Sequence, residues 1–117
     1  MRRLMNAFLN SARAFRVLIR SETAFQQEVS LLLASLPIAW WLADDNWWYV
    51  ILVGSVVVLL IVEILNSGLE AACDAISKEF DVDIQLAKDC GSLAVLLTIV
   101  LVAGVWGLVV FETLITP

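Results

Sequence analysis

The sequence predicts an all-α membrane protein: an amino-terminal amphipathic surface helix followed by three transmembrane helices. Three observations carry that prediction. Hydrophobic residues make up 62% of the 117 positions and the mean hydropathy is +0.93, more apolar surface than a water-soluble domain of this size can hide. The apolar residues gather into runs of spanning or near-spanning length. All seven basic residues lie in two stretches, Arg2, Arg3, Arg13, Arg16 and Arg20 before the first run and Lys78 and Lys88 between the second and third.

Residues 2–20 read as an amphipathic helix, with Leu4, Phe8, Ser11, Phe15, Leu18 and Ile19 on one face and Arg2, Arg13, Arg16 and Arg20 opposite. A basic helix with an apolar face suits the plane of an anionic membrane surface, and residues 1–27 are assigned to this helix and a hinge. The first apolar run, 29–43, has fifteen residues, short of the roughly 20 that cross a bilayer. Trp40, Trp41, Trp47, Trp48 and Tyr49 extend it as an interfacial belt around Asp44-Asp45-Asn46. The first span is therefore placed at 28–45, with Pro37 bending it. The second span, 47–77, exceeds the hydrocarbon thickness and should project into water at its far end. A charged cytoplasmic loop is expected at 78–88. The third span is placed at 89–112, where Gly104 and Gly107 offer a close-packing face.

Charge sets the orientation. Every Lys and Arg lies at the amino terminus or in the 78–88 segment, so the amino terminus should be cytoplasmic and the carboxyl terminus outside. An Arg-rich start followed by Ser21-Glu22 and Gln26-Gln27-Glu28 has no apolar core of the kind a cleavable signal needs. Cys73 and Cys90 flank the segment expected inside the cell, where thiols stay reduced, and their spacing suggests no zinc site. The chain contains no histidine, which removes the commonest transition-metal ligand and the commonest neutral-pH base. Nothing in the sequence suggests a nucleic-acid partner.

The chemistry concentrates at the end of the second apolar run. Steps of three, seven and eleven residues from Glu63 bring Asn66, Glu70 and Asp74 within about 80° of arc on a helix. Ionisable groups at membrane depth are costly and mark chemistry or a transport path. Glu63, the deepest acid, suits a general base, although a carboxyl hydrogen-bonded in a bundle interior would have the same sequence. Asn66 could equally be helix–helix glue, and Glu70 and Asp74 a solvated face. An oxygen-only ligand set favours Mg²⁺, with Glu22 and Glu28 at the entry to the first span available to complete it. Lys88-Asp89 offers a phosphate-binding cation beside an acid, or an ordinary inside-facing anchor. The sequence lacks a G-x-x-x-x-G-K-[ST] loop and the soluble-kinase signatures, so nucleotide chemistry would need a different cradle. A proton or ion conduit and a non-catalytic assembly subunit are the competing classes.

Three segments resemble the bacterial diacylglycerol kinase family of small integral-membrane lipid kinases: Glu63-Ile-Leu-Asn66-Ser67-Gly68-Leu69-Glu70-Ala-Ala-Cys73-Asp74, Glu22-Thr-Ala24-Phe25-Gln-Gln27-Glu28, and Ala87-Lys88-Asp89-Cys90-Gly91-Ser92. The resemblance covers nearly the whole chain. It implies a homotrimer in the bacterial inner membrane, with active sites shared between neighbours, that transfers the γ-phosphoryl of MgATP to the free hydroxyl of diacylglycerol. By matching position, Glu63 would be the base, and Glu22 and Glu70 would hold the metal. Arg3, Glu22, Glu70, Glu79, Lys88 and Asp89 would contact ATP. Arg3, Ser11, Arg16, Ala24, Phe25, Gln27, Glu28, Trp41, Glu63 and Ser92 would line the lipid site, with Asn66 and Asp74 in support. Gln26 stands where the family often carries a basic residue, and Asn10 and Phe80 also depart from its common choices. A sister branch phosphorylates undecaprenol; Asp89-Cys90-Gly91-Ser92 is more similar to the diacylglycerol branch.

Overall fold

The computed structural model describes residues 1–116, and these form four helices: α1 Arg2–Ser21, α2 Thr23–Leu42, α3 Asn46–Ile76 and α4 Val82–Ile115. The breaks have local causes. Glu22 alone is extended between α1 and α2, with φ −110° and ψ 110°. At the next break Asp45 caps α3, its side chain accepting from the Trp48 N–H at 2.9 Å. At the third, Asp81 accepts from the Asp83 and Ile84 N–H groups at 2.9 and 3.2 Å and starts α4.

That last cap corrects one sequence expectation. The segment 78–88 is not a loop: only residues 77–81 are non-helical, and Gln85, Leu86, Ala87 and Lys88 already belong to α4. The density of charge there suggests a loop, but an Asp cap followed by Ile84, Leu86 and Ala87 is enough to begin a helix. Lys88 and Asp89 are consequently held on a rigid element. The hinge before the first expected span is likewise one residue, Glu22, because α2 begins at Thr23.

Helix α3 is the central element. It packs along both α2 and α4, while α2 and α4 scarcely meet. Residues far apart in sequence pair in antiparallel order. At one end Ala39, Leu52 and Val109 form a buried cluster with Tyr49, Val53 and Val105 around it. The Trp106 indole N–H donates to the Leu52 carbonyl at 3.0 Å there. At the other end Lys88 meets Asp74. The buried hydroxyls of Ser35, Ser55 and Thr98 donate within their own helices, to the carbonyls of Leu32, Leu52 and Ala94, each at 2.7 Å. This satisfies a polar group inside an apolar bundle at little cost.

Two helices, α3 and α4, are long and apolar enough to cross a membrane, with mean hydropathy 2.6 and 2.8 over their most apolar stretches. At 31 residues α3 extends about 46 Å, well beyond a hydrocarbon core of about 30 Å. Its acidic end therefore continues past the apolar zone. Much of the α4 surface is exposed and apolar, including Leu93, Leu96, Leu97, Val100 and Leu101, as a surface facing lipid should be. Helix α1 buries none of its residues, and an aromatic contact and a hydrogen bond join it to α2. Phe15 meets Phe25 edge-on with ring centroids 5.5 Å apart. The Gln26 side-chain amide donates to the Ile19 carbonyl at 2.9 Å.

Candidate active site

The acid stripe of α3 faces into the molecule. Glu63 is only 6% exposed. It lines an apolar cleft of about 490 Å³ together with Ala24, Gln27 and Glu28 of α2, Leu59 of α3, and Val95 and Ile99 of α4. All three long helices contribute, and Glu63, Gln27 and Glu28 are the polar groups in a lining that is otherwise hydrocarbon. The polar groups gather at the end nearest the α1–α2 joint. Glu22 stands at that joint, and its charge and that of Glu70 both act on Glu63, as the charge of Glu63 acts on Glu28. Four carboxyl groups thus share one neighbourhood with no cation paired to any of them among the described residues.

One turn further along α3, the Asn66 amide N–H donates to Glu70 Oε1 at 3.4 Å. Two buried oxygens, Glu28 Oε2 and Asn66 Oδ1, have no hydrogen-bond partner, an arrangement that favours a visiting donor or cation. Further toward the water, Lys88 Nζ donates to Asp74 Oδ1 at 2.9 Å, and the Gln85 side-chain amide donates to Asp89 Oδ1 at 2.9 Å.

This ion pair lies beyond the apolar stretches of both helices. The hydrogen bond from Lys88 and its charge hold the Asp74 carboxyl below its ordinary value of 3.8, and the same hydrogen bond raises Lys88. A carboxyl group depressed in the folded state contributes stability above its ordinary value and loses it as pH falls through the lower one. The bridge should therefore persist at pH 5 to 8 and open only in acid below about pH 4. Carbon-13 chemical shifts of the Asp74 carboxyl in micelles will show this; a midpoint above 3.8 would contradict it. Both groups are solvated, so the pair mainly orients the helix ends.

The structure brings together Glu22, Ala24, Gln27, Glu28, Glu63, Asn66 and Glu70, and sets Lys88 within range of the Glu70 charge. Ser92 follows directly on Gly91, which is buried against Asn66. Glu79 is exposed in the turn 77–81, its N–H donating to Ser77 Oγ at 3.1 Å. Arg3, Ser11 and Arg16 are exposed on α1, and the Ser11 hydroxyl donates to the Ala7 carbonyl at 2.8 Å. Phe25 is 1% exposed, and its ring is committed to Phe15. Trp41 is not brought to this site. It is 80% exposed, lies thirteen residues beyond Glu28, about 20 Å along α2, and lines a separate 580 Å³ hollow with Asp44, Trp48 and Glu112. Sequence reasoning missed the apolar walls, Leu59, Val95 and Ile99. Nothing in their residue types distinguishes them from the many other aliphatics of the three long helices.

Among the described residues no three Asp, Glu or Cys side chains converge into a self-sufficient metal cage. Mg²⁺ does not need one: it takes one or two carboxylates and completes its shell with water and substrate phosphates. Paired carboxylates that repel one another, with only oxygen donors nearby, fit that ion and not zinc.

The sequence profile described as prokaryotic diacylglycerol kinase matches residues 9–110 of the chain. A diacylglycerol kinase of Escherichia coli K12 is 38% identical over 104 residues, covering 89% of this chain and 85% of that one. The diacylglycerol kinase of Pseudomonas aeruginosa is 31% identical over 106 residues, 91% of this chain and 86% of its own. That of Haemophilus influenzae is 29% identical over 108 residues, 92% of each.

Proposed function

The chain belongs to the prokaryotic diacylglycerol kinase family, and from that premise we propose that it phosphorylates diacylglycerol with ATP at the cytoplasmic face of the bacterial inner membrane, giving phosphatidic acid. One observation carries the reading: a carboxylate, Glu63, at the head of an apolar cleft built by three helices and ringed by further acids. An alcohol borne by a lipid has its hydroxyl at such a polar–apolar boundary while its chains stay in hydrocarbon.

The lipid enters sideways from the leaflet and its acyl portion occupies the cleft beside Ala24, Gln27 and Glu28. ATP arrives from water and is contacted by Arg3, Glu79, Lys88 and Asp89, the two cations drawing its phosphates. Glu63 accepts the hydroxyl proton as the lipid oxygen bonds to the γ-phosphorus and the bond to the β–γ bridging oxygen breaks, releasing ADP. Glu22 and Glu70 would hold Mg²⁺, which when bound neutralises phosphate charge and fixes the in-line geometry. Lys88 exchanges its Asp74 partner for phosphate oxygens. Ser11, Arg16, Phe25 and Ser92 shape the lipid site directly or by holding its walls, and Trp41 meets only the far end of an acyl chain.

Helix α2 serves as a third span, its Trp and Tyr neighbours anchoring it at the outer surface. The amino terminus is cytoplasmic and the carboxyl terminus outside. A homotrimer covers the exposed apolar face of α4 and closes the open side of the cleft. The test is purified protein in mixed micelles with labelled ATP, offered diacylglycerol and undecaprenol side by side. Label should appear in phosphatidic acid. Preferential labelling of undecaprenol would move the chain to the sister activity, and transfer to neither would overturn the reading.

A further inference from the structure

We propose that Gly91 is a positioning residue for the metal site: by lacking a side chain it seats Asn66 between α3 and α4, and Asn66 in turn orients Glu70. The inference rests on the reading of Glu70 as a metal ligand.

Of the five glycines, four have open space where a Cβ would stand. Gly91 does not. A Cβ there would overlap Asn66 Oδ1 and would lie 3.1 Å from Asn66 Cγ and 3.3 Å from Leu69 Cδ2. The Asn66 carboxamide therefore occupies the volume that any other residue at position 91 would fill. Its oxygen is buried against α4 and unpartnered, and its nitrogen donates to Glu70 Oε1 at 3.4 Å.

The two ends of the carboxamide are not interchangeable here. Turning the amide over would set its oxygen against the Glu70 carboxylate, acceptor against acceptor, so the N–H₂ end must face Glu70. Tethering one carboxylate oxygen limits rotation of the group and leaves the other available to a divalent cation. Partners that orient a metal ligand commonly account for about 10- to 100-fold in affinity. Adding a methyl group at position 91 must displace the Asn66 carboxamide, because the atom it would overlap is the end of that side chain and not backbone. The expected lesion is a loosened Glu70 in a bundle that remains folded.

The experiment is titration of purified full-length protein with Mn²⁺, read by electron paramagnetic resonance in the presence of a non-hydrolysable ATP analogue. Gly91→Ala should weaken Mn²⁺ binding about tenfold, and Asn66→Ala by a similar factor. The double variant should be no weaker than either single one, because both act through the same amide. Unchanged affinity in Gly91→Ala, unchanged affinity in Asn66→Ala, or factors that multiply in the double variant would each overturn the proposal. If Gly91→Ala fails to fold, the added Asn66→Ala should restore folding by vacating the contested space; failure to restore it also overturns the proposal. The family reading is separated by the unmodified protein. No Mn²⁺ binding there removes the metal site altogether, whereas normal binding and lipid phosphorylation with an insensitive Gly91→Ala removes only the positioning role.

Discussion

Glu63→Gln should abolish lipid phosphorylation while leaving ATP binding intact. The substitution keeps the shape and most of the hydrogen-bonding capacity of the side chain and removes only its basicity. Glu63 is nearly buried and sits in the fields of Glu22 and Glu70, so removing its charge relieves repulsion and should not unfold the bundle. The loss should therefore be chemical. Removing a group that moves a proton in the transition state costs about 10²–10⁴ in rate. Turnover in mixed micelles together with binding of a fluorescent ATP analogue will separate the two effects. A variant turning over within about tenfold of the parent would remove Glu63 as the base, and a parallel loss of nucleotide binding would mean that the residue supports the site and does not act in the reaction.

The second large effect is expected at Glu70→Gln. A neutral amide is a poor Mg²⁺ ligand, and the pair Glu22 and Glu70 supplies the only protein oxygens assigned to the ion. The half-saturating Mg²⁺ concentration should rise about tenfold or more, with much of the rate recovered when the ion is in excess. Glu22→Gln should behave alike, because Glu22 at the α1–α2 joint and Glu70 on α3 both act on the same neighbour, Glu63. A magnesium titration superimposable on that of the unmodified protein would unseat the ligand role. A uniform loss of rate at every magnesium concentration would instead indicate a transition-state interaction.

The helices were legible where the physics is local. Asp45 and Asp81 cap by reaching their own next amides, and the 3.6-residue period of the Glu63, Asn66, Glu70 and Asp74 stripe is a property of one helix. The charge density of residues 78–88 predicts a loop, but the Asp81 cap is the stronger local signal and starts α4 at Val82. The resemblance implies Trp41 at the lipid site, and a rise of about 1.5 Å per residue sets it at the opposite end of α2 from Glu28.

From the sequence by itself came the membrane class, the helical character, the orientation expected from the segregated arginines and lysines, and the stripe of acids on one face of α3. These follow from composition and from spacing along one helix, quantities that need no knowledge of neighbours. Only the tertiary structure decided that Glu63 shares a cleft with Glu28 and Val95, that Lys88 meets Asp74, and that Gly91 leaves room for Asn66. Those meetings depend on the register at which two antiparallel helices pack. Register is set by the summed fit of many similar aliphatic side chains, each individually replaceable by another, so no single residue announces it.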